Sequence, residues 1–354
     1  MNHFTVSSLP LKDVIADLAK EMRTDFHENC SIFSIQVPKN LGSGEIFGID
    51  FEDGLGLIEY DCQFKRDTKI EFSVDKIHPV KFLFCQEGTF EHGFKNESIL
   101  HTIPQYKNAI VASSAHHGHL LHFKANEKTT LNSLELDRRK FQSKMSCNLS
   151  SLAKELQALF NDITAKETFY HEGYYSLQFA EILKEWSRFK ENNFVRKINL
   201  ESLSYKILAL QIIQFEDDIR SEGKRTMLRL SELNQIKKAI HIINNNLENL
   251  PTISHIAYQV GLQPKKLQRG FQDLFNKTVN EYIKVKRLEV IRTLLSNSDY
   301  SINTIASMVG LKSQSYVSEL FKKEYGISPS EFKQNMSTKR TQPVGNLQSD
   351  GNEP

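Results

Sequence analysis

ISHIAYQVGLQPKKLQRGFQDLF (residues 253–275) and INTIASMVGLKSQSYVSELFKKEY (residues 302–325) are two copies of one pattern. Ile253, Ile256, Ala257, Val260, Gly261 and Leu262 recur 49 residues later as Ile302, Ile305, Ala306, Val309, Gly310 and Leu311. Past the corner the offset becomes 50, so Phe271 matches Phe321 and Tyr282 matches Phe332, and the second turn holds one extra residue. Over 252–282 and again over 301–332 the pattern predicts a helix-turn-helix. Ile253, Ile256 and Val260 make one apolar stripe. Ala257 lets the following helix cross closely, and Gly261 accepts left-handed backbone at the corner. In the longer helix Leu267, Phe271 and Phe275 are expected inward, with Lys265, Lys266, Gln268 and Arg269 outward. In its repeat Val317, Phe321 and Tyr325 are expected inward and Gln314, Ser315, Tyr316 and Glu319 outward, with Lys322 and Lys323 on the flank.

A helix with an apolar inner face and a Lys/Gln/Arg outer face suits the major groove of double-stranded DNA. Arg can take guanine bidentately, Gln can take adenine, and Lys neutralises phosphate. Helix pairs with Ala and Gly at the corner also occur in proteins that never meet DNA; duplication and charge segregation argue against that here. Residues 224–340 carry 19 Lys+Arg against 9 Asp+Glu, whereas residues 1–223 carry 26 against 32. A net charge of +2 thus hides a basic module beside an acidic one, the footprint of a DNA-binding domain with a separate partner domain. The joining segment, Glu281 to about Ser296, has a helical stripe of Ile283, Leu288, Ile291, Leu294 and Leu295. At 1.5 Å per residue it spans ~22 Å, enough to set two recognition helices near the ~34 Å repeat of B-DNA. One monomer is then expected to contact two successive major grooves. Glu319 is repelled by phosphates, so it either accepts a hydrogen bond from cytosine or is held by Lys322 or Lys323 along the helix. The ion pair is the expected arrangement.

This module resembles the AraC/XylS family of bacterial transcription regulators, above all in VGLKSQSYVSELFKKEYGISPSEFK, residues 309–333. The resemblance implies two helix-turn-helix units joined by one long helix. It also implies base contacts at Lys265, Gln268 and Arg269, then at Gln314, Ser315 and Tyr316, and RNA polymerase as a partner. Glu319 departs from the basic residue many members carry there, and Asn276–Asn280 is a degenerate form of the Gly-Ile-Ser-Pro segment at 326–329.

The first 220 residues read differently. Leu11, Val14, Ile15, Leu18 and Met22 predict an amphipathic helix within 9–26. From 31 to 137, about eight short apolar runs punctuated by Gly, Asp, Asn and Pro predict an antiparallel sandwich or barrel. By resemblance this is a cupin-like, effector-binding β-barrel, loosely like that of siderophore-responsive members. Residues 138–220 read as helical: Leu149, Leu152, Leu156 and Leu159 form one stripe, and Leu177, Ile182, Leu183 and Trp186 another. A third comprises Leu200, Leu203, Ile207, Leu210 and Ile213 or Gln214. The third stripe serves either a homodimer interface or packing against the barrel. The expected organisation is multidomain α+β. Residues 1–220 form an effector-binding and dimerisation domain, 221–231 a linker, 232–336 an all-α DNA-binding domain, and 337–354 a disordered tail.

The N-terminus has no basic region followed by an apolar run, and no apolar stretch approaches 18 residues. Cys30, Cys62, Cys85 and Cys147 show no close or zinc-like spacing, which suits a reduced cytoplasm. His117 and His119 form an H-x-H that would share a face on a strand and could bind metal. The Glu that metal cupins carry three or four residues later is absent, as His122 and Phe123 stand there. Neither a phosphate loop nor a catalytic pair is evident, so no cofactor and no enzymatic activity are expected. The reading is an effector-responsive, sequence-specific regulator; the alternative is a bifunctional cupin-type metalloenzyme with an attached DNA-binding domain.

Overall fold

Strand β5 (Leu55–Phe64) shows why the N-terminal half folds as layers. Ile58, Tyr60 and Cys62 point into one core and Leu55 and Leu57 into another. A period-two strand buried on both faces reads as a nearly continuous apolar run. Strand β7 (Val80–Glu87) repeats the device, sending Leu83 and Cys85 one way and Phe82 and Phe84 the other. The structure is a computed structural model describing residues 1–334 except 52, 74–76, 96, 116, 145–148, 177–178, 181, 184–192 and 221–229. It divides into two compact units, Met1–Met227 and Leu228–Pro354.

In the first unit the strands form two hydrogen-bonded sheets rather than a closed barrel. The five-stranded sheet runs β1 (Asn2–Val6), β6 (Thr68–Phe72), β11 (His119–Phe123), β8 (Thr89–Phe94) and β9 (Leu100–Pro104). The eight-stranded sheet runs β13 (Phe169–Glu172), β10 (Asn108–Ala112), β7, β12 (Lys128–Leu136), β5, β4 (Gly42–Asp50), β3 (Ile32–Gln36) and β2 (Phe26–Asn29). All described pairings are antiparallel except β1 with β6. One core lies between the sheets and includes helix α1 (Leu11–Met22). The other covers the outer face of the eight-stranded sheet with α2 (Arg138–Lys144), α3 (Lys154–Asn161) and α4 (Asn193–Arg220). Two large apolar faces on one sheet need two covers, which accounts for the layers.

Three expectations for 138–220 change. Leu149 to Leu159 is not one helix: a short 3₁₀ turn at Leu149–Ser151 precedes α3, and only Leu156 and Leu159 are buried. Residues Phe169–Glu172 form a strand that pairs with β10 at the sheet's edge. In α4 the buried face is Leu200, Leu203, Ile207, Leu208, Gln211 and Phe215, while Ile213 is 56% exposed on the opposite side. Leu177 and Trp186, the expected linker apart from Leu230 and Ser231, and the tail lie outside the described residues.

The second unit is helical: α5 (Leu230–Asn245), α6 (Ile253–Gln259), α7 (Pro264–Phe275), α8 (Val279–Asn297), α9 (Ile302–Met308) and α10 (Gln314–Tyr325). Helix α5 begins two residues inside the expected linker and buries Leu233, Ile236, Ala239 and Ile243. The repeat extends to the helix ends. Thr252 and Ser301 cap α6 and α9 by accepting from His255 N and Thr304 N. Thr278 and Ser328, fifty residues apart, make matching reciprocal contacts with Glu281 and Glu331. Such S/T-x-x-E boxes satisfy orphan N–H groups at helix starts. Hydrogen bonds from Thr278 hold the Glu281 carboxyl below its ordinary value, and those from Ser328 do the same for Glu331.

Candidate nucleic-acid interface

Both corners close identically. Gly261 has φ 73° and Gly310 φ 68°; Leu262 N donates to Ala257 O and Leu311 N to Ala306 O, each at 2.8 Å. These bonds take helix-end carbonyls that would otherwise be orphaned, and the positive φ favours glycine. The corner delivers α7 and α10 with their apolar faces inward. Leu267, Gly270, Phe271, Leu274 and Phe275 are buried on α7, and Val317, Leu320 and Phe321 on α10. Gly270 and Leu274 enlarge the expected inner face. A Cβ at Gly270 would strike the Ile236 side chain of α5, so any larger residue there must push that side chain aside.

At about 100° per residue, the strip opposite that core is Lys265, Arg269 and Gln272 on α7, and Ser315, Glu319 and Lys322 on α10. All six are exposed. Arg269 remains 49% exposed beside Asp273, at 3.6 Å on the same helix. The two other expected contacts on α7 sit at its flanks. Lys266 reaches α5 and pairs with Glu232 at 2.7 Å. Gln268 is half-buried, and its Oε1 accepts from Val279 N at 3.1 Å, tying α7 to the start of α8. On α10, Gln314 and Tyr316 are exposed beside Ser315, at the first turn, and Lys322 and Lys323 are exposed in the last. The expected pairing of Glu319 with Lys322 or Lys323 is not formed: among the described residues Glu319 has no ion-pair partner, and Lys322 instead acts electrostatically on Glu331.

The joining helix α8 has 19 residues, about 28 Å, and three of its four cations are used internally. Lys286 pairs with Glu289 at 3.1 Å and lies over the Tyr282 ring. Arg292 lies over the Tyr325 ring. Arg287 donates to Leu247 O at 3.3 Å, and its Nη2 stands 3.1 Å from where a Gly310 Cβ would be. Burial pushes its guanidinium below the ordinary value. Arg287 thereby links the loop before the first helix-turn-helix, the joining helix and the corner of the second. Sequence spacing carried no signal for that three-way contact.

The H-x-H pair is not brought together for a metal. His117 lies in a loop with Nδ1 against Ser114 Oγ at 2.8 Å, while His119 is buried on β11 with Nδ1 3.1 Å from His92 Nε2. Among the described residues no three His, Cys, Asp or Glu side chains converge on a metal-sized site. His116 and Cys147 lie outside the described residues.

Two family models match this chain. A family model described as a helix-turn-helix domain matches residues 256–335, and one described as the regulatory protein PchR N-terminal domain matches residues 43–228. The probable transcription factor PqrA of Proteus vulgaris is 33% identical over 106 residues, 27% of this chain and 87% of that protein. The xylose operon regulatory protein of Escherichia coli is 30% identical over 96 residues, 27% of this chain; the chain spans only 24% of that relative's length. An AraC-type DNA-binding-domain regulator from Chromobacterium violaceum, of known structure, is 25% identical over 32% of this chain and 99% of its own, with a TM-score of 0.29. The chain belongs to the AraC/XylS family of transcription regulators, with an N-terminal unit of the PchR type.

Proposed function

We propose that the chain is a sequence-specific transcription regulator that binds double-stranded DNA through two helix-turn-helix units per monomer, one in each of two successive major grooves. Residues 232–336 carry the DNA contacts. Residues 1–220 sense a small effector and dimerise, and the protein acts in the cytoplasm with RNA polymerase as its downstream partner and no catalytic step. The observation that supports this best is the duplicated exposed strip, Lys265, Arg269 and Gln272 on α7 and Ser315, Glu319 and Lys322 on α10, each presented by the same glycine corner. Dimerisation is supported by α4, whose outer side exposes Phe194, Ile198 and Ile213. No described helix is long and apolar enough to cross a membrane.

Fragment 224–340 tests the reading. It is expected to bind operator DNA as a monomer, with affinity falling steeply as salt rises because Lys and Arg displace counterions. No DNA affinity at roughly 50–100 mM salt, where phosphate contacts still hold, would refute it.

A further inference from the structure

Arg138 opens α2, with one residue between it and the end of β12, and its side chain is 1% exposed. Its Nη2 donates to His78 O at the long distance of 3.5 Å. Its Nη1 stands 3.8 Å from Asp162 Oδ2, beyond hydrogen-bond reach. Nε and Nη1 find no acceptor among the described residues. Asp162 is committed elsewhere, since its carboxylate takes the N–H groups of Lys166 and Glu167. Burial pushes the Arg138 guanidinium below its ordinary value, against the opposing pull of Asp162. A buried guanidinium with unspent donors is costly to maintain, which calls for a partner beyond those the described residues supply.

The side chain lines a cavity of about 690 Å³ in the N-terminal unit, within the range of small-molecule sites. Leu9, Leu11, Phe51, Ile77 and Ile163 supply an apolar wall. The acids on the wall are mostly spent. Glu135 pairs with the buried Lys81, and Asp137 accepts from the N–H groups of Arg139 and Lys140. Burial pushes the Asp50 carboxyl above its ordinary value. Arg139 and Lys140 also line the cavity, so three cations face three acids, and of the acids Glu135 and Asp137 already hold partners within the protein.

We propose that this cavity is the effector site and that it takes a small apolar molecule bearing one carboxylate, held by Arg138. This deepens, and rests on, the effector-responsive reading above. A doubly charged phosphate fits less well, because Asp50 and Glu135 stand on the same wall and one guanidinium offsets one charge.

The test is thermal unfolding of the full chain with 2-naphthoate, indole-3-acetate and 4-phenylbutyrate, each against its primary amide and against inorganic phosphate. The acids are expected to raise the unfolding temperature of the N-terminal unit with dose, and the amides and phosphate not to. Arg138→Lys is expected to weaken the acids about tenfold, the loss of one charge-assisted hydrogen bond. Arg138→Met is expected to abolish the shift while the ligand-free chain melts no lower than wild type, because the change removes a buried charge with two unspent donors and leaves Asp162 its N–H partners from Lys166 and Glu167. Equal shifts from acids and amides, a shift from phosphate alone, or no shift from any acid overturns the proposal. So does an Arg138→Met chain that is unfolded, which makes Arg138 a structural cation. Operator binding measured on the same samples separates the two levels: bound DNA without an acid effect removes the site and leaves the regulator, whereas lost DNA binding removes the regulator.

Discussion

Two glycines with φ within 5° of each other and the same place in the repeat are expected to respond differently to alanine. At either position an L-residue in left-handed backbone costs about 1–2 kcal/mol. At Gly261 the added Cβ meets only the end of the Gln235 side chain, at 3.3 Å, so little is added to that strain. At Gly310 it meets the carbonyl oxygens of Leu247 and Glu248, both at 2.5 Å. Neither is a flexible side chain, so the second corner must move away from the loop after α5, and Leu247 O is also the acceptor of Arg287. Overpacking of this kind costs a further ~1–3 kcal/mol. Gly310→Ala is therefore expected to destabilise by about 2–5 kcal/mol and Gly261→Ala by about 1–2 kcal/mol. Urea unfolding of fragment 224–340 measures both, provided the m-value is unchanged. Gly310→Ala is also expected to weaken binding to an operator spanning two grooves more than binding to one half of it, because the displaced corner carries α10. Equal losses of stability for the two variants would refute the reasoning.

Arg269→Ala is expected to weaken specific binding by about 1–3 kcal/mol and relax preference at one or two base pairs. Gln268→Ala should instead lower stability by about 0.5–1.5 kcal/mol and leave base preference intact; selection from a randomised operator library distinguishes them. Since Glu319 has no ion-pair partner to lose among the described residues, Glu319→Arg is expected to tighten operator and random DNA alike in a gel-shift titration, whereas selective loss of operator binding would show that it reads a base. The His92–His119 pair predicts a pH limit. Burial, reinforced by Lys81, pushes His92 down to about 3 and His119 well below its ordinary value. Below about pH 6.5 the unfolded chain takes protons that the folded one refuses, so stability of the N-terminal unit falls as pH drops, by up to about 1.4 kcal/mol per unit for each imidazole. Melting curves from pH 7 to 5 that coincide would exclude this burial.

The C-terminal unit was legible because local rules and tertiary contacts agree there. Ile253 to Leu262 and its repeat carry the helix period, Gly261 and Gly310 mark the corners, and Thr278 and Ser328 mark the starts of the next helices; each signal lies within a few residues of what it specifies. Composition separated an acidic half from a basic one for the same reason, since charge is counted without coordinates. What the sequence left open depends on residues far apart in the chain. Lys266 and Gln268 have the chemistry of base readers, but their direction depends on α5 and on the start of α8, which turn one into an ion pair and the other into a helix latch. Glu319 stands within reach of two lysines along its helix, yet among the described residues it pairs with neither. Strands β5 and β7 announced strands, but whether their two apolar faces would meet another sheet or helices was decided only by which distant segments covered them. Arg138 carried no motif at all. Its burial beside a cavity, with donors that no acid among the described residues accepts, arises from the end of β12, the His78 carbonyl and the loop of Asp162 meeting at one point, a convergence that only the folded chain creates.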